Sequence, residues 1–122
     1  MKTFEELEAW KSARELRKAN SRLAKTFPND ERFRLVDQII RSSRSVPANI
    51  AEGFGRFHFQ ENIQFCRQAR GSLSETLEHL IYALDEEYID EATFQSHREL
   101  IELCWKVLNG YIAYLKKAVK TK

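Results

Sequence analysis

The chain has 122 residues, of which 43% are hydrophobic and 31% are charged, and its formal net charge is +2. This length predicts a single domain over residues 1–122, and only four glycines and two prolines argue against a turn-rich β fold. No apolar run approaches the ~20 residues of a membrane span, and the first residues lack a signal-peptide core, so we expect a cytoplasmic protein without a membrane partner.

Charge is distributed unevenly along the chain. The net charge is +3 for residues 1–34, +2 for 35–70, −6 for 71–98 and +3 for 99–122. Most of the molecule is therefore basic, and one stretch is distinctly acidic.

The first predicted helix begins near Thr3 and stops at Pro28. Thr3 and Glu6 have the spacing of a capping box, in which a hydroxyl and a carboxylate each accept from a free N–H at a helix start. Apolar residues then recur at steps of three, four and seven up to Phe27. A basic stripe follows the opposite face and comprises Arg14, Arg17, Lys18, Arg22 and Lys25.

The second predicted helix is capped by Asn29 or Asp30, and its apolar face starts at Phe33. Pro47 interrupts it, because proline has no N–H and its ring collides with the carbonyl four residues earlier, at a cost of roughly 3 kcal/mol in a helix interior. Apolar residues continue beyond it. The pattern therefore predicts a helix that is kinked at Pro47 and closed by two glycines.

Two more helices follow. The third is predicted from about Gln60 to residues 85–88, with Gly71 at a close approach to a neighbouring helix, and the fourth begins at Asp90. Short connections predict an all-α, antiparallel up-down-up-down four-helix bundle, with residues 116–122 frayed. Apolar residues on the fourth helix exceed what one core face needs, which indicates a subunit contact. They are Leu100, Leu103, Val107, Tyr111 and Tyr114.

No residue pattern points to catalysis, a cofactor or a metal. Helix bundles that hold dinuclear metal sites use Glu-x-x-His pairs, and this chain has none. Glu75 and His79 share a helix face as a solvated pair, and the other two histidines, His58 and His97, are isolated. Two further candidates, Cys66 and Cys104, lie on apolar stripes, where a thiol is a reduced core residue with a raised pKa. We therefore expect a protein that is not an enzyme.

The basic residues are the one functional signal, and they allow two readings. Helix stripes of Arg and Lys neutralise phosphates, and Arg56, Arg67 and Arg70 add to the first-helix stripe around the second turn. Lysines and arginines on a helix also commonly form only a solvated face. From the residues alone, neither reading prevails.

Residues 45–56, SVPANIAEGFGR, resemble the signature of the bacterial four-helix-bundle proteins first noticed as open reading frames in intervening sequences of 23S ribosomal RNA genes. Residues 4–10, 27–28, 71–75 and 108–110 extend the resemblance, and valine stands at position 46, where isoleucine is commoner. We expect the polar Asn49 and Glu52 to bond backbone opened by Pro47 or to reach another helix or subunit. The signature residues are Ser45, Pro47, Asn49, Glu52, Gly53, Gly55 and Arg56.

The resemblance also carries expectations about function. The family is similar to the accessory variability protein of diversity-generating retroelements, a homopentameric barrel that binds nucleic acid through a basic surface and associates with a reverse transcriptase. For this chain, the resemblance implies a non-enzymatic adaptor that forms a pentamer and binds RNA or DNA. Its partner would be a reverse transcriptase or another protein. The alternative is a protein-interaction scaffold that uses the acidic stretch from Glu75 to Glu91 and binds no nucleic acid.

Overall fold

Four helices make up most of residues 2–121, the part of the chain that the computed structural model describes. They are α1 (Glu8–Ala24), α2 (Leu35–Gly55), α3 (Phe59–Asp85) and α4 (Glu91–Lys120). No strand occurs within the described residues. The predicted all-α class is confirmed.

The helices form a bundle in which each packs on two others. α2 packs on α1 and α3, and α4 packs on α3 and α1, whereas within the described chain the pairs α1–α3 and α2–α4 have no Cα atoms within 8 Å of each other and lie diagonally across the bundle. Each helix supplies side chains to one shared apolar core. The completely enclosed large residues include Leu16, Ile39, Ile50, Leu73, Leu80, Ile101 and Leu108.

Contacts between α2 and α3 show that these two helices run in opposite directions. Gly53 near the end of α2 faces Asn62 near the start of α3, whereas Ser42 bonds Thr76 further along α3. The up-down order of the whole bundle and the kink at Pro47 stay predictions. α2 does continue as one helix through Pro47, which is buried.

The start of α1 differs from the predicted capping box. Thr3 Oγ1 accepts from the N–H of Glu5 at 3.2 Å, and Glu6 Oε2 accepts from the N–H of Lys2 at 2.8 Å. These bonds hold a short 3-10 turn over Phe4–Glu6. Leu7 is then extended and buried, so α1 begins only at Glu8. Burial of the Leu7 side chain accompanies this break between the turn and the helix.

The predicted cap of α2 is also wrong. Asn29–Glu31 forms a 3-10 turn instead, and α2 begins at Leu35. Phe33, which we expected on the apolar face, is 83% exposed. The turn is held by tertiary structure, because the buried carboxylate of Glu31 accepts from the hydroxyl of Tyr88 at 2.7 Å.

The later boundaries agree better with the sequence. α3 ends at Asp85, and Asp90 Oδ1 accepts from the N–H of Thr93 at 2.7 Å, which confirms the predicted start of α4. Gly71 has no neighbouring helix within 4 Å of an added Cβ, so the predicted close approach there is wrong. The predicted fraying from Lys116 is also wrong as far as α4 extends, to Lys120. Lys122 lies outside the described residues.

Candidate nucleic-acid interface

The basic stripe occupies the side of α1 that faces away from the core. Buried residues on the other side, Leu16 and Asn20 among them, pack against the bundle. With 3.6 residues per turn, the cations between them in sequence fall on the opposite face. Arg14, Lys18, Arg22 and Lys25 are exposed there, with Arg17 half-buried beside them. Four of the five predicted residues thus lie on α1, and Lys25 is its C-cap residue.

Part of this charge is already engaged within α1. Lys18 Nζ lies 3.6 Å from Glu15 Oε2, and the guanidinium of Arg14 lies 5.6 Å from the centre of the Trp10 ring. Across residues 2–121, no ion pair involves Arg17, Arg22 or Lys25. These three cations are therefore uncompensated by an acid and suited to an external anion.

The other predicted arginines do not form one patch with this stripe. Arg56 pairs with Glu52 at 3.2 Å and lies over the Phe65 ring, on the α3 side of α2. Arg67 and Arg70 belong to α3, which does not contact α1. Arg70 turns toward α4 instead, where its Nη1 donates to Oδ1 of Asn109 at 3.0 Å. The expectation that these residues extend the α1 stripe is not met, because the bundle places α3 diagonally across from α1.

Sequence reasoning missed two lysines near the end of the chain. Lys116 and Lys120 of α4 line a groove together with Arg67. Their four-residue spacing on a helix was the available signal.

The signature around Pro47 binds α2 to itself and to α3. Asn49 Nδ2 donates to the carbonyl of Ser45 at 2.9 Å and to its hydroxyl at 3.0 Å, and that hydroxyl also accepts from Ser72 of α3 at 2.9 Å. Asn49 thus bonds a backbone carbonyl, as expected. That carbonyl belongs to Ser45, whereas the one that loses its helical N–H partner to Pro47 belongs to Ser43. Among the described residues, the side chain of Glu52 bonds only Arg56, the C-cap residue of α2.

Gly53 serves a different purpose from the one we predicted. A Cβ at this position would lie 2.7 Å from Oδ1 of Asn62 and 2.9 Å from Cβ of Phe65. The glycine therefore allows α2 and α3 to approach, rather than ending the helix. Gly55 is the last residue of α2 and has open space around it. Phe57, at φ 56°, adopts the left-handed conformation in the connection to α3.

A buried polar cluster joins three helices, and no sequence pattern indicated it. Asn20 of α1 donates to the hydroxyl of Ser43 at 2.9 Å and accepts at Oδ1 from His97 Nδ1 of α4 at 2.7 Å. His97, predicted to be isolated, is 9% exposed. Burial lowers its pKa, because a low dielectric disfavours the charged ring, and nearby Arg22 lowers the pKa further. The neutral imidazole is thus the form that suits this site.

The cysteines have the environment that the sequence predicted. Cys66 and Cys104 are buried free thiols. Burial raises the pKa of each to about 11, because the thiolate is poorly solvated there. Glu75 and His79 pair at 3.1 Å on α3. Among residues 2–121, no three His, Cys, Asp or Glu side chains are grouped so that they could hold a metal ion.

An apolar cleft of about 800 Å³ opens at the end of the bundle where α1 and α3 begin. Phe57 is 85% exposed and Tyr114 is 60% exposed along it. Asn62 donates to the hydroxyl of Tyr111 at 2.9 Å and so fixes one wall. Leu103 extends the exposed apolar flank of α4 and is half exposed. An apolar surface of this kind is typical of an interaction site. The predicted subunit contact stays a prediction.

Most of the chain matches a known protein family. The sequence profile described as 23S rRNA-intervening sequence protein matches residues 5–110, which is most of the chain and includes the Pro47 signature. The chain belongs to the 23S rRNA-intervening sequence protein family. This confirms the resemblance that the motifs indicated.

A solved structure supports the membership of the 23S rRNA-intervening sequence protein family. The crystal structure of a protein of unknown function from the S23 ribosomal protein family of Bacteroides thetaiotaomicron is similar to this one, with a TM-score of 0.79. The two sequences are 25% identical, and the match covers 85% of this chain and 97% of that one. Among curated proteins, no sequence matches the chain. No helix within residues 2–121 is both long and apolar enough to cross a membrane.

Proposed function

We propose that this protein is a non-enzymatic, oligomeric adaptor of the cytoplasm that binds RNA or DNA through the outward face of α1. The observation that carries the proposal is the row of exposed cations on that face, of which Arg22 and Lys25 have no ion-pair partner among the described residues. The half-buried Arg17 beside them has none either. Each phosphate that such a cation neutralises releases counterions, so the affinity depends strongly on salt and little on sequence.

The family supports the choice of ligand. Its description connects it with 23S rRNA, and a basic helix face fits a polyanion better than a small neutral ligand. The buried, protonated thiols leave Cys66 and Cys104 unsuited to nucleophilic catalysis. Binding without chemistry is the activity that these features favour.

Self-association completes the proposal. The exposed aromatic cleft and the apolar flank of α4 offer a surface for a second copy, and the resemblance implies a pentamer. In a closed ring, each copy repeats the α1 face, and several weak phosphate contacts then add up to a useful avidity. A reverse transcriptase or another protein would be the partner of the assembled ring.

The proposal is tested by reversing the charge of Arg14, Arg17 and Arg22 together to glutamate. We expect loss of binding to a structured RNA and to a duplex DNA, because repulsion replaces three phosphate contacts, while the particle mass stays unchanged. Binding is measured by fluorescence anisotropy across a salt series, with mass measured in the same buffers.

The matched control reverses Arg98, Lys106 and Lys117, three cations of α4 that are outside the α1 stripe. Both triple variants change the net charge equally. If the α1 variant binds as tightly as the control, the basic face of α1 is not the interface.

A protein-interaction scaffold is the second candidate. The observation that favours it is the cluster of exposed acids at the α3–α4 turn, namely Asp85, Glu86, Glu87, Asp90 and Glu91. An oligomer that binds neither RNA nor DNA at low salt would favour this function, and basic protein partners would then be sought.

A further inference from the structure

A second basic site lies on the other side of the bundle, between the first turns of α3 and the last turns of α4. It is a groove of about 260 Å³. Ile63 is buried at this place and Val119 is half-buried, whereas the polar lining residues are exposed. The lining comprises Gln60, Ile63, Arg67, Lys116, Val119 and Lys120.

The charge in this groove is uncompensated. No carboxylate lines it, and across residues 2–121 no ion pair involves Arg67, Lys116 or Lys120. The guanidinium of Arg67 donates only to the neutral side-chain oxygen of Gln64, at 3.1 Å. Three like charges around one groove repel each other, and an anion that enters it relieves this repulsion.

The positive row continues along the junction of the two helices. Arg70 lies one turn beyond Arg67 on α3 and is held against α4 by its bond to Asn109. Lys116 and Lys120 are four residues apart and therefore about 6 Å apart along α4. An elongated row of cations suits a chain of phosphates better than a single small anion.

We propose that this α3–α4 groove is a second contact for the phosphate backbone of nucleic acid, separate from the face of α1. The inference rests on the proposed function, since it concerns the same ligand. Within the described chain, α1 and α3 lie diagonally across the bundle, with no Cα atoms within 8 Å of each other, so the two basic sites are on different sides of one subunit. The nucleic acid must then pass around the bundle, or two segments must bind to one subunit.

The groove contributes affinity without base readout. Lysine is a flexible point charge, and neither Lys116 nor Lys120 has a rigid hydrogen-bonding frame that would select a base. We therefore expect the same contribution for RNA and DNA duplexes of any sequence. An acidic protein segment would be attracted by the same charges, so the experiment below uses duplex RNA and duplex DNA as its probes and tests the nucleic-acid contact directly.

The test compares two variants of the full chain with the same number of neutralised charges. The groove variant changes Arg67, Lys116 and Lys120 to glutamine, and the control changes Arg98, Lys106 and Lys117 to glutamine. Binding to a duplex RNA and a duplex DNA is measured across a salt series. Loss of three contacts lowers the slope of log affinity against log salt by about 2 to 3, and lowers affinity at low salt at least tenfold.

A charge-conserving variant guards against a purely structural effect. Exchange of Arg67 for lysine and of both lysines for arginine retains the slope if charge is what matters. If the unmodified protein binds and the groove variant keeps its slope and affinity, the inference is wrong while the proposed function stands. If the unmodified protein binds no nucleic acid at low salt, both the inference and the proposed function are wrong.

Discussion

At the scale of single residues, Gly53 shows how a small side chain sets the distance between two helices. An added Cβ would meet Asn62 and Phe65 of α3 at less than 3 Å. Real Cβ atoms do not approach other atoms so closely. The atoms it would meet are Oδ1 of Asn62 and Cβ of Phe65, and neither is the free end of a long, flexible side chain. Either α3 moves away or the packing of the core around it is disturbed.

Gly53→Ala is expected to lower the free energy of unfolding by about 1–3 kcal/mol, because overpacking forces the two helices apart. Gly71→Ala is the matched control. Gly71 is an exposed α3 residue with nothing within 4 Å of an added Cβ, so alanine there should stabilise by about 0.5–1 kcal/mol. Urea unfolding of both variants checks the prediction. Equal effects of the two changes would show that the contact at Gly53 is unimportant.

His97 makes stability depend on pH. Its neutral ring is bonded to Asn20, and its folded pKa is below the value of 6.5 that it has when unfolded. The unfolded chain therefore binds a proton more readily than the folded one. The contribution of His97 to stability is complete above about pH 6.5 and is lost as pH falls below that value toward the folded pKa.

His97→Gln removes this titration and keeps an amide that can bond Asn20. We expect the unfolding free energy of the variant to fall less steeply than that of the parent between about pH 7 and 5. Urea unfolding at a series of pH values measures both slopes, and the carboxylates common to both proteins cancel in the difference. Parallel pH profiles would mean that His97 is not the group responsible.

At the scale of helices, α2 contains a proline without losing its continuity. Pro47 is buried in the middle of Leu35–Gly55. Its ring costs one backbone hydrogen bond, and burial of the ring within the bundle offsets part of that loss. The hydroxyls of the nearby Ser42 and Ser45 accept hydrogen bonds from Thr76 and Ser72 of α3, so they link the two helices.

Pro47→Ala restores the missing N–H and removes the buried ring. We expect helicity to be preserved, because α2 is already continuous, and packing or assembly to change, because the bundle is fitted to the ring. Far-UV circular dichroism, thermal melting and particle mass are the measurements. If melting and mass both match those of the parent, Pro47 has no structural role.

Helix boundaries were predictable where they depend on local chemistry. Asp90 caps α4 with its own carboxylate, and the end of α3 at Asp85 followed from the change in residue pattern. The predicted starts of α1 and α2 were wrong, because the residues expected to cap these helices form 3-10 turns instead. The turn before α2 is held by a long-range contact, the bond between Glu31 and Tyr88, 57 residues apart. The turn before α1 is held by local bonds, but α1 begins late because Leu7 is extended and buried in the core of the bundle. Local patterns carry no information about such partners.

At the scale of the whole molecule, the arrangement of four helices decides which charges act together. Arg14, Lys18 and Arg22 share the exposed face of α1, and Lys25 caps its end, so periodicity alone placed these four together, with Arg17 half-buried beside them. Arg67 joins Lys116 and Lys120 only because α3 packs against α4. The same packing separates Arg67 and Arg70 from α1, which is why the single patch expected from the sequence is divided.

The sequence by itself determined the all-α class, the number of helices, the burial of Cys66 and Cys104, and the basic face of α1. Each of these depends on the period of one helix or on the nature of one side chain. Tertiary structure alone decided the cluster of Asn20, Ser43 and His97, the close approach at Gly53 and the groove between α3 and α4. These features require the rotation and relative height of two packed helices, which are set by how the whole core fills space and not by the pattern of either helix.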